Sequence, residues 1–288
     1  MITAARFFAG PGGDSVELED RFFTDLKTRN ATFKRTATDR FGDLDDVCIR
    51  CFAAAETSIR DVLDIGISSG GATLALSERL HKAGYDAAVT GTDLSLTAHI
   101  VPVLPGVRAL VDDAGFPLQH DVLGLAVRPW RRRADYLTGM LFVRNLLNRI
   151  AGNRARRELQ RGTDQVRSVR LVSPRLANDR RVSVEQNDIL VPTEQYRNRF
   201  NFVRVANVLN RDYFNEPDLR RALHNCVSYL SGPGAWLLVV RSTGGHHVAT
   251  LFQVSADGRR LTAVDRFGGG SEVEWLVFQT PLPGEWAR

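Results

Sequence analysis

Asp64, Gly66, Ser68, Gly70 and Asp93 are the residues whose types and spacing carry the most chemistry in this chain. Asp61-Val-Leu-Asp-Ile65 is a short apolar run with strand character, and it opens directly into the turn Gly66-Ile-Ser-Ser-Gly-Gly71. Small residues there let the backbone come close to a ligand, and a helix predicted over 72–83 would point its first amide N–H groups at that ligand. Such a turn suits a carboxylate or a phosphate. A second apolar run, Ala87–Thr92, ends in Asp93, an acid placed to accept hydrogen bonds from both hydroxyls of a ribose. Together the two features describe a nucleoside-bearing ligand at the carboxyl edge of a parallel sheet.

The elements that must position these residues follow from periodicity and punctuation. Strand, tight turn, helix closed by Gly84, and strand make a βαβ unit over residues 61–93, with parallel strands and a right-handed crossover. Later, strands are predicted over 182–190, 201–206 and 235–240, and a helix over 216–230 that ends at Ser231-Gly-Pro-Gly234. Two further strands, 248–254 and 261–267, flank Asp257-Gly258. Only Ser242–His247 separates the 235–240 strand from the next one, so no helix is expected there and the last strands should depart from a doubly wound order. Between Asp93 and Val182 stand 88 residues, far above the few-residue to helix-length connections of such folds. An insertion, about 100–181, is therefore expected. It should contain a hairpin, 107–111 with 117–123 around Asp112-Asp-Ala-Gly115, and an amphipathic helix, 136–150. Residues 1–60 are helix-compatible and predict an N-terminal helical cap, followed by a main domain over 61–288.

Val62-Leu-Asp-Ile-Gly-Ile-Ser-Ser-Gly-Gly71 resembles the first motif of class I S-adenosylmethionine-dependent methyltransferases. The dinucleotide fingerprint G-x-G-x-x-G fits less well, because Ser68 occupies its second glycine. Val184-Glu-Gln-Asn-Asp-Ile-Leu190 looks like the family's third-strand motif, and Phe202-Val-Arg-Val-Ala-Asn-Val-Leu-Asn210 like its fourth. The resemblance covers 61–98 and 182–241. It implies an α/β fold with a Rossmann-like, mostly parallel sheet and helices on both faces, S-adenosylmethionine as cofactor, and methyl transfer to a small-molecule or amphiphilic acceptor. By the same resemblance, Asp64, Gly66, Ser68, Gly70, Asp93, Asn187, Asp188 and Asn207 would hold the cofactor, with Asp188 and Asn187 toward the adenine amino group and Asn207 toward the methionine end. Asp212 and Tyr213 stand where the family often positions its substrates. Two other readings stay open: a non-catalytic S-adenosylmethionine-binding protein on the same scaffold, and a nicotinamide-dependent oxidoreductase, which Ser68 disfavours.

His246 and His247 invite a general-base or metal role, but neighbours on a strand point to opposite faces and do not chelate one ion together. They rank with Asp212 and Tyr213 as candidates for acceptor chemistry, and a solvated turn is the simpler expectation for them. Cys48 and Cys51 have C-x-x-C spacing inside a helical stretch, and His224 with Cys226 would point to different helix faces, so buried thiols are expected and no metal. Methyl transfer from a sulfonium requires none.

The net charge of +5 is uneven. Residues 128–170 hold twelve Arg and three acids, a local +9, while the rest of the chain is slightly acidic. Within this segment Tyr136, Met140, Val143, Leu147 and Ile150 form an apolar stripe at helical spacing, flanked by arginines. That pattern fits peripheral contact with an anionic membrane, a lid over a soluble acceptor, or packing on the domain's own core. Nucleic acid is disfavoured because the aromatic residues are few and not interleaved for stacking. Three cysteines, no apolar run of about 18 residues and no secretory leader lead to an expectation of a cytoplasmic protein.

Overall fold

The computed structural model describes residues 1–9, 15–29, 33–34, 39–130, 140–243 and 246–286. In chain order its elements are α1 (Ala4–Phe7), α2 (Val16–Phe23), α3 (Gly42–Ala54), β1 (Asp61–Ile65), α4 (Gly71–Lys82), β2 (Ala88–Asp93), β3 (Thr97–Leu104), β4 (Val107–Val111), β5 (Pro117–Val122), β6 (Leu125–Val127), α5 (Met140–Arg161), β7 (Arg167–Arg170), α6 (Pro174–Asn178), β8 (Val182–Gln186), β9 (Phe202–Ala206), α7 (Glu216–Ser228), β10 (Trp236–Thr243), β11 (His246–Val254), β12 (Leu261–Phe267) and α8 (Glu274–Gln279). They form two compact units: residues 38–67, 71–94 and 179–288 in one, and 1–37, 68–70 and 95–178 in the other.

The larger unit is built on a seven-stranded sheet of order β12-β11-β10-β9-β1-β2-β8. Five neighbouring strands, β10 to β8 in that order, are parallel. β10, β11 and β12 then run as an antiparallel meander, the rearranged end expected from the short 240s connection. Alternation along the strands sends side chains to two faces. Leu63, Val203, Val205, Leu237 and Val239 face α7 and α8, while Val62, Val89, Phe202, Trp236 and Leu238 face α3 and α4. Helices on both faces and a mostly parallel sheet are the α/β architecture that the motifs imply.

Local chemistry sets the boundaries. α4 stops because Gly84, at φ +91°, takes the left-handed conformation that lets Tyr85 N–H reach Leu80 O at 3.0 Å. α7 starts at Asn215, whose side-chain oxygen accepts from Asp218 N at 2.9 Å.

The smaller unit is a five-stranded sheet of order β6-β5-β4-β3-β7, antiparallel throughout. Phe7, Phe22, Phe23 and Leu26 cover one face, and Ala151 and Ala155 of α5 pack against Val101, Val103, Ala109 and Val111 on the other. The hairpin β4–β5 turns where expected: Asp112 Oδ1 accepts from the amides of Ala114 and Phe116, and Gly115 has φ +76°.

The helix in the basic segment departs from the predicted one. It runs on to Arg161, so Arg154, Arg156, Arg157 and Arg161 lie on it and do not follow it. Gly152 lies inside it, and a Cβ there would meet the Gly115 carbonyl oxygen at 3.4 Å, an ordinary contact. Its packed side is set by Ala151 and Ala155. Val143 of the expected stripe is 48% exposed, and Tyr136 lies outside the described residues.

Candidate functional site

β1 is followed by α4 and β2 on one side, while β9 lies on its other side, so the strand order reverses between β1 and β9. A crevice outside the carboxyl ends of the strands opens at such a point. Gly66 stands there with φ +87°. A Cβ on it would lie 2.4 Å from Val208 Cγ2 and 2.7 Å from the Ala206 carbonyl oxygen, so only glycine fits. Its amide and that of Ile67 both donate to Thr92 O, at 2.8 and 3.1 Å, which ties the start of the turn to the end of β2.

Positive φ recurs through the turn, at Gly66, Ser68 (+59°) and Gly70 (+90°). Ser68 thus occupies a conformation that is free for glycine and costs another residue about 1–2 kcal/mol. A physical reason for glycine at that position is therefore visible, and this chain does without it. Within the smaller unit, the buried Lys34 ammonium donates to the carbonyls of Ser68 (3.4 Å) and Ser95. Sequence reasoning does not reach Lys34, since it lies far from any motif.

Asp93 ends β2, half-buried, and its carbonyl accepts the Asn187 amide at 3.0 Å where β8 ends beside it. Asp93 and Asn187 are thus neighbours. The Asn187 side chain donates to Thr193 Oγ1 at 2.7 Å, and Asp188 Oδ1 accepts from Leu190 N at 2.9 Å, closing its own turn. Asn207 follows β9 at φ +60° and ties β9 to β10: its amide donates to Val240 O, and its side-chain oxygen accepts from Ser242 N at 2.7 Å.

Asp64 differs from these because its carboxylate faces away from the strand ends, into the core. It lies opposite Arg204 in the β1–β9 register, and both point to the α3/α4 face. Asp64 accepts from Arg204 Nε (2.9 Å) and Nη2 (2.7 Å) and from Thr73 Oγ1 (2.7 Å). Arg204 also donates to both Asp45 oxygens, at 2.8 and 3.0 Å, and to Ala72 O at 3.0 Å. All three charged side chains are 1–2% exposed. One guanidinium between two carboxylates holds α3, the start of α4 and two central strands together beneath the turn. The signal was in the sequence: an arginine at the centre of an otherwise apolar strand, Phe202-Val-Arg-Val-Ala206, needs buried partners.

Burial pushes Asp45 up to about 6, against the pull of Arg204. With a folded value above the unfolded one, its contribution to stability is complete at the lowest pH and is lost as pH rises through about 6. The stability difference between the wild type and Asp45→Asn should therefore move against the wild type between about pH 4 and 6 and flatten above that. Thermal melts of both proteins across this range check it; a difference flat throughout would show that Asp45 titrates as an ordinary carboxyl.

The remaining candidates are spread around the same edge. The Asp212 carboxylate pairs with Arg241, which also holds Glu272. Tyr213 is half exposed. His246 and His247 begin β11 and are not in the turn, a correction that follows from their antiparallel pairing with Thr243 and Ser242. His246 is exposed, while His247 Nδ1 lies 2.9 Å from Ser242 Oγ and its ring packs 5.2 Å from that of Phe41. Cys48 is buried on α3 and its thiol is pushed well up by burial; Cys51 is half-buried. Among the described residues no group of three or more His, Cys, Asp or Glu could hold a metal ion, and no helix is long and apolar enough to cross a membrane.

No protein-family model matches the chain, and no curated protein matches it in sequence. Among solved structures it is similar to the CMeT domain of the citrinin polyketide synthase, at 12% identity over 63% of this chain and 28% of that one, TM-score 0.30. It is also similar to an amino pentose methyltransferase of calicheamicin biosynthesis from Micromonospora echinaspora, bound to S-adenosylmethionine (14%, 78% and 67%, TM-score 0.34). A third is an N-methyltransferase from Bradyrhizobium japonicum in complex with S-adenosyl-L-homocysteine (17%, 69% and 61%, TM-score 0.30). The chain thus spans between about a quarter and two-thirds of the length of these three.

Proposed function

We propose that the chain binds S-adenosylmethionine at the carboxyl edge of its parallel sheet and transfers the methyl group to a small-molecule or amphiphilic acceptor. The observation that carries this reading is the β1–α4 junction. A turn with left-handed residues at 66, 68 and 70 stands where the strand order reverses, and an acid, Asp93, closes the adjacent strand. The donor set fits the cofactor: backbone amides at a helix N-terminus suit an amino-acid carboxylate, and a carboxylate one strand away suits ribose hydroxyls. In this reading Gly66, Ser68 and Gly70 shape the turn and Asp93 takes the ribose, with Asn187, Asp188 and Asn207 around the adenine and methionine ends. Asp64 supports the turn from beneath.

The cofactor supplies a methyl group already activated on sulfonium. The chain's own residues therefore need only bind, orient and exclude water, plus take a proton where the acceptor carries one. Asp212 and Tyr213 are the candidates for contact with the acceptor, and His247 is the candidate base. A cytoplasmic setting belongs to the proposal. Phe142, Val143 and Leu146, all exposed on α5 beside its arginines, favour a peripheral contact with an anionic membrane in support of an amphiphilic acceptor.

Asp93→Ala tests the assignment. It removes the proposed ribose acceptor, so S-adenosylhomocysteine affinity should fall about ten- to hundredfold, the worth of hydrogen bonds to a charged group, with a melt of the variant run alongside to show that it is folded. Unchanged affinity would take Asp93 out of the site. A methyl-transfer assay over candidate acceptors then separates an enzyme from a protein that only binds the cofactor.

A further inference from the structure

We infer that the smaller unit carries a separate binding site for a small aromatic anion, such as an aryl phosphate. A cavity of about 640 Å³ lies between residues 27–29 after α2, the β4–β5 turn, residues 129–130 after β6, and α5, a size in the range of small-molecule sites. Among the described residues its walls carry Lys27, Arg29, Arg149 and Arg156 and no carboxylate. None of the four is paired with an acid among the described residues. Lys27 stacks on the Phe33 ring at 5.4 Å, and Arg156 donates to the Asn153 amide oxygen at 2.7 Å. Acids near the lining residues in sequence are engaged with other groups: Asp25 with Arg128, Glu158 with Arg154 and Asp113 with His99. Four cations around one cavity repel one another, and an anion placed among them relieves that repulsion while gaining charge-assisted hydrogen bonds.

The rest of the lining selects for a flat body. Phe116 and Trp130 supply aromatic faces. Trp130 is fixed by its indole N–H donating to Asp25 O (3.1 Å), by the Phe33 ring edge-on at 5.5 Å, and by the Arg128 guanidinium over it at 5.3 Å. Asn148 is equally held. Its side-chain nitrogen donates to Pro129 O at 2.9 Å, and its oxygen accepts from Nε2 of the fully buried His120 at 2.7 Å. Burial pulls the His120 value down, which keeps the ring neutral. The floor is glycine on glycine: a Cβ on Gly115 would meet Arg156 Cγ at 2.8 Å, and one on Gly152 would meet Gly115 O. Fixed aromatic and amide groups with unneutralised cations are the recognition chemistry of an aryl anion.

The inference stands apart from methyl transfer, and the test keeps it apart. Phenyl phosphate, inorganic phosphate and benzyl alcohol are titrated calorimetrically into the full chain at low ionic strength. Phenyl phosphate should bind, inorganic phosphate about three- to tenfold more weakly for want of the ring, and benzyl alcohol not at all. Arg149→Gln/Arg156→Gln, two exposed positions, should weaken phenyl phosphate at least about tenfold and leave S-adenosylhomocysteine binding unchanged. Should the double variant melt early, Lys27→Gln with a wild-type melt gives the same reading. The inference is overturned if benzyl alcohol binds as well as phenyl phosphate, if inorganic phosphate binds as tightly, or if the folded variants retain wild-type affinity.

Discussion

Arg204→Met should destabilise the protein by about 3–5 kcal/mol, the range for removing one partner of a buried ion pair. The substitution leaves Asp45 and Asp64 facing each other in the core with no cation, and both are almost without solvent. Urea denaturation at pH 7 gives the loss directly. The deficit should shrink as pH falls, because Asp45, already raised to about 6 by burial, can then take up a proton. Replacing all three charges with apolar residues of similar size should cost less than the single change, since the penalty comes from the orphaned charges and not from the absence of a pair. A loss under about 1 kcal/mol for Arg204→Met would mean that the triad is hydrated like a surface pair.

Gly66→Ala should be almost as damaging and also abolish cofactor binding. The left-handed conformation costs alanine about 1–2 kcal/mol, and overpacking against Ala206 O and Val208 adds about 1–3 kcal/mol. Gly84→Ala is the internal control. Gly84 has nearly the same φ, +91° against +87°, but a Cβ there meets nothing within 4 Å. It should therefore carry the conformational cost alone. Equal losses at the two positions, measured in the same denaturant series, would mean that backbone strain is all that Gly66 avoids and that the close approach of β1 to the end of β9 does not matter.

Much of the larger unit is legible in the sequence because its signals are local. The run 61–65, the Gly66 turn, Gly84 at the helix end and Ser231-Gly-Pro-Gly234 after the next long helix each fix an element from within a few residues. The central parallel strands β1, β9 and β10 are buried on both faces and so read as largely apolar runs. Even the missing helix after β10 follows from counting residues. The smaller unit is harder for the opposite reason. β3 contains Pro102 and pairs with β7, some sixty residues on, and β7 itself is Arg-Ser-Val-Arg with one buried side chain. No local period announces such a strand; its partner does.

The candidate site divides along the same line. Turn and strand-end residues stand at the edge where the motifs imply them. What Asp64 does depends on an arginine 140 residues away and on an aspartate in α3, and only the register of β1 against β9 brings these together. An acid at a motif position reads as a ligand group in sequence, and as the anchor of a buried cation once its partner is known.

Calorimetric titration of S-adenosylhomocysteine and of NAD into the wild-type protein tests the central claim most directly. Saturable one-to-one binding of S-adenosylhomocysteine, lost in Gly66→Ala and weakened in Asp93→Ala, with no binding of NAD, is the expected result. Saturable binding of NAD in preference to S-adenosylhomocysteine, or binding of neither by folded protein, would contradict it.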